Sequence, residues 1–202
     1  MQSSAGDKPY HHGNLRQALI EAALDILERG STSLTIRAAA KAAGVSHTAP
    51  YNHFADKEAL LAAVAIRGFE TLEAEVEAAR TQAGPDPGAQ LAAGGEAYVV
   101  FAADHPALFR LMFGPRQADD AVRAAGLSAF GALVRVVQDG MEAGAFRAGD
   151  ARATAFTAWS LVHGMAQLAI DRTGPLTPED RVEITDRLRA SHTVMMDGLR
   201  PR

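Results

Sequence analysis

Between Leu34 and Leu61 the chain reads LTIRAAAKAAGVSHTAPYNHFADKEALL, which gathers ten side chains suited to one kind of chemistry. Ser46, His47, Thr48, Ala49 and Asn52 are small or hydrogen-bonding, the types that fit against base edges. Tyr51 and His53 can donate to phosphate oxygens, and Lys57 adds a cation where a helix would present its positively polarised end. Thr35 and Arg37 flank this set, Arg37 reaching a phosphate or a base from the side. The expected chemistry is recognition of a DNA duplex. A metal site is the competing reading of His47 and His53, but a spacing of six turns them about 600° apart around a helix, so they face different ways.

Two short helices and a tight turn are needed to present these groups. Arg37 to Ala43 forms the first, Gly44 allows the turn, Val45 plugs it, and Ser46 caps a second helix that reaches Phe54. This is a helix-turn-helix, spanning about residues 36–55, whose second helix enters the major groove. Around it the chain is helical throughout. Apolar residues at 15, 18, 19, 22, 23, 26 and 27 mark one helical face that begins after an Asn14 cap and ends at Gly30. Asp56 caps a long helix; Gly84 to Gly88 breaks the pattern; further helices are expected over about 89–103, from Pro106 to Phe113, and over about 118–143, 150–172 and 178–197. The fold class is therefore all-α with about nine helices. The expected divisions are a loose arm over 1–12 with His11, His12 and Lys8, a DNA-binding head over 13–58, and a larger domain over 59–202.

In the larger part, Trp159, His163 and Gln167 recur at intervals of four and are expected on one helical face. Two readings stand: a pocket wall with polar groups that orient a ligand, or a packed tryptophan beside a core histidine. Tyr98, Phe101, Phe109, Met112 and Phe113 form an aromatic-rich group that either packs as core or lines an apolar cavity. Gly94 and Gly95 interrupt a helix at roughly 1 kcal/mol each relative to alanine, so close packing, a kink or ligand space must compensate. The helix over 150–172 is apolar nearly all round, and Phe156, Gly164, Met165 and Leu168 are expected at a subunit interface with Leu188 and Met195 of the last helix.

The pattern T-I-x-x-x-A-x-x-A-G-V-S-x-x-x-x-Y-x-H-F-x-x-K-x-x-L resembles the DNA-binding domain of the TetR family of transcriptional regulators, over about Leu15–Leu61. A second segment, Ala158 to Met165, is similar to the Trp-x-x-x-His-Gly pattern of one group of C-terminal domains in that family. The resemblance implies a homodimer on an operator, a divergent ligand pocket, and repression relieved by a small apolar or aromatic effector. Asn52 stands where many relatives carry a larger aromatic or basic residue, and Pro50 lies early in the recognition helix.

Composition narrows the alternatives. The chain has 202 residues, 48% hydrophobic and 22% charged, with alanine at about one in five. With no cysteine there is no disulfide scaffold, zinc–thiolate site, iron–sulfur cluster or thiol nucleophile, which fits a cytoplasmic setting. No apolar run reaches a membrane-spanning length, and Met1 to Lys8 lacks the look of a secretory signal. HExxH, P-loop and GxSxG motifs are absent, so an enzyme is not expected, nor a cofactor or metal. The remaining rival is a helical ligand- or protein-binding module that has lost DNA binding. The net charge of −4 is uneven: residues 1–68 hold seven Lys/Arg and six Asp/Glu, residues 69–202 thirteen and eighteen. The head is thus mildly basic, and affinity should rest on a few placed contacts.

Overall fold

A computed structural model describes residues 15–30, 34–114, 119–171 and 181–199. The 1–12 arm, the Asn14 cap and the helix start at Thr177 to Asp180 lie outside the described residues. Those described form eight α-helices and one 3-10 turn, with no strand, in line with the all-α expectation. They make two compact units, residues 1–64 and 65–202.

In the first unit, α1 (Leu15–Glu28) buries Leu15, Leu19, Ile20 and Ala23. α2 (Ile36–Ala42) starts at Thr35, whose hydroxyl accepts from the Ala38 amide at 3.0 Å. Its end is set by Gly44, at φ +71°, a left-handed conformation that a side chain disfavours. The Val45 amide then returns to the Ala40 carbonyl at 3.0 Å. Ala39 and Ala40 are fully buried and let the helices approach.

The next element differs from expectation. No α-helix runs from Ser46 to Phe54; Ala49–Asn52 forms a 3-10 turn. Pro50 is the physical reason. It has no amide to donate, and it disfavours helical geometry in the residue before it. Tyr51 and His53 therefore bond three residues back, to the Thr48 and Pro50 carbonyls at 3.2 and 2.9 Å. The Ser46 hydroxyl lies 3.2 Å from the Thr48 hydroxyl and caps no amide. Buried Pro50 and Phe54 anchor the segment, with the Arg16 guanidinium 5.5 Å over the Phe54 ring.

α3 (Lys57–Gln82) begins at Asp56, whose carboxylate accepts from the Ala59 amide at 2.8 Å. The division between the two units falls inside this helix, after Val64. In the second unit, α4 (Pro87–Asp104) packs against α5 (Pro106–Phe113), α6 (Asp120–Glu142), α7 (Ala151–Asp171) and α8 (Arg181–Leu199). Aspartates start three of these helices. Asp86 accepts from Ala89 at 2.7 Å, Asp119 from Ala121 and Val122 at 2.9 and 3.2 Å, and Asp150 from Arg152 and Ala153 at 2.9 and 3.0 Å. Each such cap contributes about 1 kcal/mol. One core cluster joins Leu91, Phe146 and Ala158, flanked by Met195, Met196 and Leu199 of α8. Gly140 gives the Phe146 ring its seat, since a β-carbon there would overlap the ring.

Candidate nucleic-acid interface and ligand cavity

In the first unit, Thr35, Arg37, Ser46, His47, Thr48, Tyr51, Asn52, His53 and Lys57 are all exposed, and Ala49 is half-buried. Tyr51 is the informative case: a large ring left 53% exposed beside the wholly buried Pro50. The turn has sorted its side chains, with the proline inward and Tyr51 and Asn52 outward, followed by exposed His53. Lys57 opens α3 beside its N-terminal amides, where a phosphate is favoured. Thr35 is exposed, yet its hydroxyl is committed to the α2 cap.

The second unit holds a cavity of about 520 Å³, within the size of small-molecule sites, commonly about 300–1,000 Å³. Of the residues expected there, Tyr98, Phe113, Trp159 and His163 line it. The Trp159 Nε1–H donates to the Tyr98 hydroxyl at 3.3 Å, and that hydroxyl lies 2.8 Å from His163 Nδ1. Tryptophan can only donate. The arrangement that uses every proton has Tyr98 donating onward to Nδ1, leaving the histidine proton on Nε2. Burial pushes the Tyr98 phenol well above its usual range, partly opposed by the Trp159 bond, and burial also holds His163 below the ordinary histidine value. Both shifts favour the neutral forms that this chain of hydrogen bonds needs.

Phe101, Phe109 and Met112 follow the core-packing reading instead. All three are buried and none lines the cavity. Phe109 forms a layer behind it, its ring stacked on His163 at 5.5 Å and edge-on to Tyr98 at 5.6 Å. Gln167 is a correction: it turns away and donates to Asp171 at 2.7 Å. Eight helical residues advance about 800°, some 80° past two full turns, so Gln167 leaves the face that Trp159 occupies. Asp171 also accepts from Arg110 at 3.1 Å, and these hydrogen bonds hold its carboxyl below the usual range.

The expected interface residues divide as well. Phe156, Gly164 and Leu168 are exposed along α7, and a β-carbon at Gly164 would meet nothing within 4 Å. Met165 and Leu188 are buried within the chain, and Met195 sits on the cavity wall, so none of these three offers a free surface. Phe156 also borders the cavity.

The structure adds wall residues that local sequence reading missed, among them Phe69, Val76 and Arg80 from α3, Phe130 from α6 and His192 from α8. It also resolves the glycine pair. A β-carbon on Gly94 would stand 3.3 Å from Arg80 Cγ, and one on Gly95 3.2 Å from Val162 Cγ1. Both glycines let side chains from other helices lie close against α4, and both border the cavity.

Residues 19–64 match the profile of "Bacterial regulatory proteins, tetR family", and residues 91–191 that of "Tetracyclin repressor-like, C-terminal domain". The chain belongs to the TetR family of transcriptional regulators. It is a DNA-binding transcription regulator and not an enzyme. Among solved structures it is similar to a protein of unknown function from a Rhodococcus species, at 37% identity and TM-score 0.82, covering 96% of this chain and 100% of that one. It shares its fold with the TetR family transcriptional regulator PfmR from Thermus thermophilus, at 22% identity and TM-score 0.65 over 92% and 97% of the two chains. It also shares it with the fatty acid degradation regulator FadR from Bacillus halodurans, at 19% identity and TM-score 0.74 over 96% and 100%. No curated protein matches the chain by sequence. Among the described residues no helix is long and apolar enough to cross a membrane.

Proposed function

We propose that the protein is a cytoplasmic, ligand-responsive repressor that binds a pseudo-palindromic operator as a homodimer. The observation that carries the DNA contact is the joint exposure of His47, Thr48, Tyr51, Asn52, His53 and Lys57 around a turn pinned by buried Pro50. Ser46, His47, Thr48, Ala49 and Asn52 face base edges. Tyr51, His53, Lys57 and Arg37 hold phosphates, and the 1–12 arm adds Lys8. Two such heads meet successive major grooves about 34–36 Å apart. Phe156, Gly164 and Leu168 of α7, with Val194 of α8 at 75% exposure, supply the surface for the second subunit.

The cavity beside Trp159 and His163 takes a small apolar or aromatic effector. Its leverage on DNA binding equals its difference in affinity for the DNA-bound and free states. The test is an electrophoretic mobility-shift assay on DNA next to the protein's own gene. Wild type should bind. Tyr51→Ala and Lys57→Ala should bind more weakly, with the logarithmic salt slope of Lys57→Ala lowered by about 0.9 for its one lost phosphate contact. Wild-type affinity and slope in both variants would refute the assigned contacts.

A further inference from the structure

Two polar atoms in the second unit are buried without any hydrogen-bond partner: Arg80 Nε and His192 Nε2. Leaving such a group unsatisfied costs about 1–3 kcal/mol, so each calls for an explanation. Both residues border the cavity.

The Arg80 stem packs against α4 at Gly94, where a β-carbon would stand 3.3 Å from Arg80 Cγ. α4 and α8 run antiparallel, with Leu91 clustered near Met195 and Glu96 paired with Arg189 at 3.6 Å. That register puts His192 level with Gly94. Arg80, Gly94 and His192 thus border one cavity, and two of them bring an unsatisfied nitrogen to its wall.

We propose that the Arg80–Gly94–His192 corner receives the carboxylate of the effector, an otherwise apolar molecule whose body lies along the aromatic wall toward Trp159. The assignment rests on the cavity being the effector site. Arg80 is a permanent cation with an Nε–H to give. Its Nη1 is taken by Glu77 at 2.7 Å, which fixes the guanidinium and leaves Nε for a ligand. His192, held neutral by burial, contributes a ring N–H from the opposite side. Ionisable side chains of the wall favour an anion too: Arg80, Arg123 and Arg152 border it, against Glu73. Arg123 and Arg152 are exposed and already engaged, by Asp120 at 2.6 Å and by the Phe130 ring at 5.5 Å.

The chain has one tryptophan, Trp159, and it stands in the cavity wall, so its fluorescence reports binding directly. The experiment titrates the full-length protein with decanoate and, separately, with decan-1-ol. Wild type should bind decanoate at least about tenfold more tightly, the scale of one charge-assisted hydrogen bond. Arg80→Met keeps the stem against Gly94 and should bind the two probes alike. Arg80→Lys keeps the charge but has no Nε–H; it should give an intermediate preference, and it serves if Arg80→Met fails to fold. Equal affinity in wild type, or an undiminished preference in the Arg80 variants, overturns the head-group assignment while leaving the cavity reading intact. A preference that survives in those variants but vanishes in Arg123→Gln or Arg152→Gln overturns it by placing the carboxylate at the exposed rim. No Trp159 response to either probe removes the cavity reading, and this assignment with it.

Discussion

The exposed turn of the first unit and the cavity of the second are built on opposite principles. Around Ala49–Asn52 the working side chains are exposed, and what fixes them is one buried proline, one buried phenylalanine and a handful of backbone bonds. Around Trp159 and His163 the working groups are half-buried against buried Tyr98 and fixed by each other, through two linked hydrogen bonds and a ring layer with Phe109 and Phe113. A surface that must meet a large, charged, preformed partner can leave its contacts free until the partner supplies theirs. A cavity has to satisfy its polar groups before the ligand arrives. The places where it does not, Arg80 and His192, are then informative.

That contrast can be broken most forcefully by removing Phe109. Phe109→Ala should destabilise the protein by about 3–5 kcal/mol, read by thermal unfolding, whereas Tyr51→Ala should stay within about 0.5 kcal/mol. Comparable losses for the two would erase the distinction. A smaller effect is expected from Tyr98→Phe, which deprives the Trp159 N–H and His163 Nδ1 of their shared partner at a cost of about 1–3 kcal/mol. Trp159 emission should change at the same time, and an unchanged spectrum would show that the linked bonds do not form in solution. The smallest effect concerns pH. His163 and His192 are held below 6.5 by burial, so the unfolded chain takes up protons first. Their contribution to stability is complete well above pH 6.5 and is lost as pH falls through 6.5 toward the folded values. The melting temperature should drop between about pH 7.5 and about pH 5.5, and drop less in His163→Gln. A rise on acidification would contradict the burial of both rings.

Legibility in the sequence follows from distance along the chain. The turn at Gly44 and the anchor at Phe54 lie within a dozen residues, so spacing alone indicates how they act together. Even there the form of the recognition segment escapes a local reading, because Pro50 looks tolerable in a first helical turn and instead closes a 3-10 turn about itself. Periodicity identifies the apolar faces of α4, α5 and α7 and brings out Tyr98, Phe113, Trp159 and His163. It is silent on which helix covers which face, so it cannot tell Phe109 and Met112 from cavity wall, nor Met165 and Leu188 from subunit surface. Arg80 and His192 are invisible for the same reason. Each is an ordinary polar residue in its own helix, and it becomes unusual only where α3 and α8 both border the cavity.

The aspartates that begin α4, α6 and α7 bear on how the charge of the second unit is distributed. Residues 69–202 carry eighteen acids against thirteen bases, and Asp86, Asp119 and Asp150 are three of those acids. Each sits against the end of a helix that behaves as roughly half a positive charge. Close to that end the partial positive charge offsets part of the carboxylate's potential, while the opposite charge at the far end of the helix restores the full unit charge at a distance. The potential is therefore softened at these three helix starts, and the unit's formal excess of acid is unchanged. Part of the overall charge of −4 records how the helices start, and says little about which polyanions the protein can approach.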